Sequence, residues 1–391
     1  MLEKMTVRDV RNINKINIIK TIISNRDLSR NDIAGINNIS VMTVKNIVDD
    51  LLRKNVIVEK KVDTSIVGRK PTVLKIADSI GYIITIDLTS SSFLYYVVYD
   101  VYKNKVKKGF YRCKKDISFS ENIISFVRTI KSEVEQSDIL NILGIGISVP
   151  GIYKDEEDRI YNELNKDLNN IKLKKIIKEN FEVNNIVIDH DVKLAAIAEA
   201  IGFNSEIPYD LYYLYIGEGV GGAILLKGEI YNGHNEIAGD IGQLFVDCSS
   251  NNRQKLEDVV SCPAIVEGVK RKFNENGLDL GKNSNELDFD DVLKMYKAGD
   301  RLVVDYLDNV ITCLARAVFN IIWLINPSKI VVDCSYKEFG AIVVDKLNSF
   351  VTKMFDSNIP IDFEVNLSKY DENSALIGAL ELVTNRWIES L

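Results

Sequence analysis

Residues 81–100 read GYIITIDLTSSSFLYYVVYD. Two β-branched and aromatic runs flank a short polar turn, which predicts a β-hairpin. Asp87 closes the first run, and the turn Leu88-Thr89-Ser90-Ser91-Ser92 contains no glycine. Glycine is the residue that lets backbone approach a ligand closely. A hairpin without it keeps a side chain at each of these positions.

The chain beyond this hairpin alternates strands and helices. SENIISFVRTIKSEVEQ (120–136) has helical periodicity, and ILGIGISVPG (142–151) is a buried strand ending in a Pro-Gly turn. NNIVIDHDVKLAAIAEA (184–200) is a strand running through Asp189-His190-Asp191 into an alanine-rich helix. DLYYLYIGEGVGGAILLKGEIYNG (210–233) is a second hairpin, and its turn is rich in glycine. Two hairpin-led α/β halves predict a duplicated, two-lobed domain over 81–391, with ligands held in a cleft near 190–240.

Residues 1–80 have a different character. They carry 15 Lys and Arg against 9 Asp and Glu, whereas the rest of the chain carries 34 against 47. A basic head on an acidic body suits a polyanion-binding module joined to something else. INIIKTIISNRD (16–27) reads as a helix, LSRNDIAGIN (28–37) as a short helix capped by Ser29, and SVMTVKNIVDDLLRKN (40–55) as an amphipathic helix capped by Ser40. That order is a helix-turn-helix, with Val41, Met42, Thr43, Lys45 and Asn46 early on the helix that would enter the major groove of double-stranded DNA. Two β-rich arms then surround Gly68-Arg69-Lys70-Pro71. They predict a wing whose Arg69 and Lys70 suit the minor groove or its flanking phosphates.

The remaining composition is ordinary. The chain has 391 residues, 46% apolar and 27% charged, with a net charge of −7. No apolar run approaches the roughly 18 residues of a membrane span, and the charged N-terminus has no signal core. The five cysteines are scattered, which suits reduced thiols and a cytoplasmic protein.

In these motifs the chain resembles the ROK family, and in particular its repressor branch. RNINKINIIKTI with GRKPTVLKI is similar to that branch's DNA-binding head. GIGISVPG, DHDVKLAAIAEA, IGEGVGGAILLKGEIYNG, NEIAGDIGQLFV and SALIGALELV are similar, in order, to family body motifs. The resemblance implies an N-terminal winged helix-turn-helix on an actin-like, ribonuclease-H-like sugar-kinase body. It implies that Asp191, the position of the kinases' catalytic base, contacts a sugar, together with Asn165 (alternatively Asn162), Asp240, Gln243 and Glu257. Kinases of the family carry glycines where this chain has Leu88-Thr89-Ser90 and Asp333-Cys334, which implies lost ATP binding and no cofactor. The family's zinc ligands are not matched around Gln243 and Cys248, so no structural metal is expected.

The expected function is therefore a sugar-responsive transcriptional regulator, with operator DNA and a sugar or sugar phosphate as partners and a homodimer or dimer of dimers as the assembly. Two alternatives stand beside it: a sugar kinase with a DNA-binding head, and a DNA-binding dimer without a ligand. An ATPase assay separates the first from the kinase. A sugar-induced thermal shift separates it from the ligand-free dimer.

Overall fold

The computed structural model describes residues 7–61, 72–162, 166–201, 209–247, 253–278, 286–354, 363–370 and 373–391. The chain divides into two compact units. The first comprises Met1–His190 with Leu376–Leu391, and the second Asp191–Ala375.

The first unit opens with α1 (Val7–Ser24), α2 (Arg30–Ile36) and α3 (Val41–Arg53), then an antiparallel pair, β1 (Ile57–Lys61) and β2 (Thr72–Ile76). Ser29 caps α2 reciprocally: its hydroxyl accepts from Asp32 N–H, and Asp32 accepts from the Ser29 N–H at 2.9 Å. Ser40 accepts from Thr43 N–H at 3.1 Å and starts α3. Such caps satisfy amides that have no partner inside the helix. Apolar residues at helical spacing, Ile18, Ile19 and Ile22 of α1 with Val44, Ile47, Val48 and Leu51 of α3, close an apolar core. Residues 62–71, and with them Arg69 and Lys70, lie outside the described residues.

The same unit continues with β3 (Tyr82–Asp87), β4 (Phe93–Asp100), β5 (Lys105–Arg112), α4 (Phe119–Gln136), β6 (Ile142–Val149), β7 (Ile152–Lys154), β8 (Arg159–Tyr161), α5 (Leu173–Asn180) and β9 (Ile186–His190). β3 and β4 form the hairpin expected for 81–100, pairing Tyr82 with Asp100 and Asp87 with Tyr95. The five-stranded sheet runs β5-β4-β3-β6-β9, with β3, β6 and β9 parallel.

The second unit holds α6 (Asp191–Ala200), β10 (Leu211–Ile216), β11 (Val220–Leu226), β12 (Glu229–Ile230), β13 (Phe245–Asp247), β14 (Arg253–Lys255), α7 (Glu257–Val260), α8 (Cys262–Glu275), α9 (Phe289–Lys297), α10 (Arg301–Ile325), β15 (Lys329–Cys334), α11 (Lys337–Met354) and β16 (Glu364–Leu367). Its sheet runs β12-β11-β10-β15-β16 and again begins with an antiparallel hairpin, β10–β11. Among the described residues α10 is long and apolar enough by length and composition to cross a membrane, although Asp305, Asp308 and Arg316 interrupt its apolar run. Its Leu307, Val310, Ile311, Leu314, Val318 and Ile322 are buried in the core of this unit.

α12 (Ser374–Ser390) starts at the end of the second unit and returns to the first. Leu376, Leu380 and Val383 cover Ile83, Val97 and Val187 of the first sheet. Farther along, Trp387 and Ile388 enter the core of the N-terminal helices. Lys54 Nζ donates to the Leu391 carbonyl at 2.6 Å, and Ile76 N–H to the Tyr102 hydroxyl at 2.8 Å. The head thus shares one apolar core with the last helix and the β4–β5 turn.

The cysteines depart from the all-reduced expectation. Cys113, Cys262 and Cys334 are free thiols, whereas Cys313 is disulfide-bonded.

Candidate functional site

The glycine-rich turn between β10 and β11 organises the second unit. Glu257, the first residue of α7, accepts the Val220 N–H at 3.1 Å, and a Cβ on Gly219 would lie 2.8 Å from its Oε2. At Gly217 a Cβ would lie 2.4 Å from the Tyr215 hydroxyl and 2.5 Å from Ser335 Oγ. These glycines are required by the turn's own packing, with no nucleotide needed to explain them.

Asp240, Gln243 and Glu257 are anchored around the same strand. Gly242 packs so closely on β11 that a Cβ there would meet the Val220 carbonyl, while the Tyr212 hydroxyl holds the Gly239 carbonyl at 2.7 Å. Asp240 and Gln243 flank this contact, with Asp240 half-buried and Gln243 exposed. The Leu256 N–H donates to the Leu244 carbonyl at 2.8 Å, joining that loop to the start of α7. On the other side Val192, next to Asp191, lies 3.0 Å from a Cβ on Gly221. Asp191, Gln243 and Glu257 are therefore each tied, directly or through a neighbour, to Val220 or Gly221.

Asp191 begins α6, and its Oδ1 accepts the Val192 N–H at 2.8 Å. Burial of the carboxyl pushes its pKa from 3.8 to about 6, against the lowering effect of backbone N–H donors. A carboxyl tuned to that range accepts a hydrogen bond or a proton from a hydroxyl group near neutral pH. Its charge also adds to the effect of burial in holding the Tyr215 phenol above its ordinary range.

The opening hairpin closes on itself. Thr89 donates its N–H and its hydroxyl to Asp87 Oδ1, at 2.9 and 2.7 Å. Ser90 Oγ accepts the N–H groups of Ser92 and Phe93, at 3.2 and 3.3 Å. Three turn amides that could face a phosphate are occupied by the turn's own side chains. Asp333 is engaged likewise: Tyr213 donates to it at 2.7 Å and Lys337 at 2.9 Å.

Of the other residues singled out in the sequence, Asn165 and Cys248 lie outside the described residues. Asn162 donates its side-chain amide to the Pro150 carbonyl. On α3, Val41, Met42, Lys45 and Asn46 are exposed above the buried Val44, Ile47 and Val48. Thr43 is half-buried, and its hydroxyl bonds to that of Ser40 at 2.8 Å, so it serves the helix cap. Among the described residues no group of three or more His, Cys, Asp or Glu could hold a metal ion.

Two hairpin-led five-stranded sheets behind a helix-turn-helix define a sugar-kinase-like body that carries a DNA-binding type of head. The ROK family profile matches residues 97–386, and the chain belongs to the ROK family. It is 25% identical over 395 residues to the xylose repressor of Caldicellulosiruptor bescii, covering 96% of each chain. A ROK family transcriptional regulator, homologous to the E. coli MLC protein, shares the fold over 97% of both chains, with a TM-score of 0.78 and 18% identity. A ROK family glucokinase from Streptomyces griseus, in complex with glucose and AMPPNP, matches 77% of this chain and 99% of its own, with a TM-score of 0.61 and 18% identity.

Proposed function

We propose that this protein is a sugar-responsive, DNA-binding transcriptional regulator, most simply a cytoplasmic repressor of genes for using a xylose-type sugar. The observation that carries the reading is the exposed face of α3. Val41, Met42, Lys45 and Asn46 stand out to solvent on a capped, well-packed recognition-type helix. Near full-length similarity to a xylose repressor supports the same reading.

In this account Asp191, Asp240, Gln243 and Glu257, with Asn165, hydrogen-bond the hydroxyls of one sugar. Asp87 and Ser90 engage the amides of their own turn, and Asp333 is engaged by Tyr213 and Lys337, which supports a body that transfers no phosphate. Arg69 and Lys70 of the wing hold the DNA backbone or minor groove, and two heads of a homodimer meet the half-sites of an inverted repeat. A sugar changes DNA affinity only by binding one conformation better than another. α12 supplies a route, because it begins at Ser374, at the end of the second unit's chain, and delivers Trp387 and Ile388 to the core of the head. A gel shift on the operator, titrated with xylose and related sugars, tests the reading. A sugar-dependent change in bound fraction supports it, and indifference to every sugar argues for a DNA-binding dimer without a ligand.

A specific observation favours a second reading, a sugar kinase. Asp191, with its pKa near 6, is poised as a general base, and Asp87, Ser148 and Asp189 stand in register across β3, β6 and β9. Sugar-dependent formation of ADP would establish that reading.

A further inference from the structure

We infer that the corner of the first sheet beyond the opening turn is a second ligand site, one that takes a small phosphate monoester. A cavity of about 370 Å³ opens there, bounded by Ser91, Ser92 and Phe93 at the start of β4 and by Arg112, Lys114 and Lys115 at the end of β5. That volume lies within the usual range for small-molecule sites, roughly 300–1,000 Å³.

The charge of the cavity selects an anion. Arg112, Lys114 and Lys115 line it, and among the described residues none of them forms an ion pair. The facing acid is Asp167. Asp116 follows in the chain, and Glu121 is engaged by the Ser118 N–H and hydroxyl in the cap of α4. Three cations against one facing carboxylate suit a dianion, held by charge-assisted hydrogen bonds. Ser91 and Ser92 add hydroxyl donors.

The cationic segment is held in place before any ligand arrives. Asn122, only 2% exposed, accepts the Lys114 N–H at 2.8 Å and donates to the Lys114 carbonyl at 3.0 Å. The same amide reaches the Ser118 carbonyl at 3.1 Å, and Cys113 N–H donates to the Ser92 carbonyl at 2.9 Å. Arg112 lies over the Phe93 ring, 5.9 Å from its centroid. A fixed backbone lowers the ordering cost of binding. Phe93 offers a flat apolar wall to a carbon skeleton, so an organic monoester fits better than phosphate alone. The site lies wholly in the first unit and does not depend on the sugar reading.

Calorimetric titration of the full chain with glycerol 3-phosphate, inorganic phosphate and glycerol tests the assignment. Glycerol 3-phosphate should bind most tightly and glycerol not at all. Lys114→Ala with Lys115→Ala should weaken binding by about tenfold or more. A charge-matched control on α5, Lys175→Ala with Lys178→Ala, should leave it unchanged. All four lysines are exposed, so the folding of the variants is not at stake. No binding of glycerol 3-phosphate up to about 10 mM would overturn the assignment. So would equal losses in the two double variants, which would mark diffuse attraction to the surface.

Discussion

Thr89 donates twice to one oxygen of Asp87, from its N–H at 2.9 Å and from its hydroxyl at 2.7 Å. A glycine at this position could offer the amide alone. The carboxylate closes the turn, and the turn holds itself without a phosphate. Asp87→Ala should therefore cost stability, about 1–3 kcal/mol for the lost charge-assisted bonds. Sugar affinity should be preserved, because none of the proposed sugar ligands lies on this turn. Urea unfolding and a sugar titration of the same variant check both halves.

The buried carboxyl of Asp191 makes stability depend on pH. The folded chain keeps a proton on this carboxyl up to about pH 6, whereas the unfolded chain releases it near 3.8. Stability from this group is thus fully present below about pH 4 and is lost as pH rises through 6, by at most about 3 kcal/mol. Asp191→Asn should raise the urea midpoint near pH 8 more than near pH 4, while weakening sugar binding. Equal shifts at the two pH values would contradict the assigned burial.

Glu257 sits where Gly219 leaves room. Gly219→Ala places a methyl group 2.8 Å from the Glu257 carboxylate and should displace it, with sugar affinity falling about tenfold or more. Gly228→Ala is the comparison. Its φ of +78° makes alanine strained, by about 1 kcal/mol or more, but nothing crowds its Cβ. That variant should lose stability and keep the sugar, as calorimetry can show.

Much of this architecture is legible in the sequence because its signals are local. Ser29 with Asp32, Ser40 ahead of a periodic apolar face, and the β-branched runs around 81–100 each specify an element within a few residues. Asp191, Gln243 and Glu257 are found by motif, but their common anchoring on Val220 and Gly221 depends on packing that no local pattern encodes. Trp387 in the core of the head is farther still from prediction. Its partners in the helices and strands of the head lie more than 300 residues away in sequence, and an apolar residue near a C-terminus carries no mark of where it docks. The role of Thr43 as a cap partner was hidden because the same hydroxyl also suits a base edge.

That contact between α12 and the head makes its own prediction. Trp387 is 6% exposed within the shared core, so Trp387→Ala should destabilise the docked head by about 3–5 kcal/mol. Operator affinity should fall, while sugar binding stays near that of the wild type. Parallel loss of both would mean that the whole chain had unfolded, which circular dichroism would reveal.

The most direct measurement pairs a gel-shift titration with a coupled assay for ADP, on the wild type and on Asp191→Ala. The account predicts sugar-dependent change in operator binding by the wild type without ATP, and no ADP from either protein. It also predicts that the variant responds only at sugar concentrations higher by about tenfold to a hundredfold, the worth of one charge-assisted hydrogen bond. Sugar-dependent ADP from the wild type that disappears in the variant would contradict the account and make the protein a kinase.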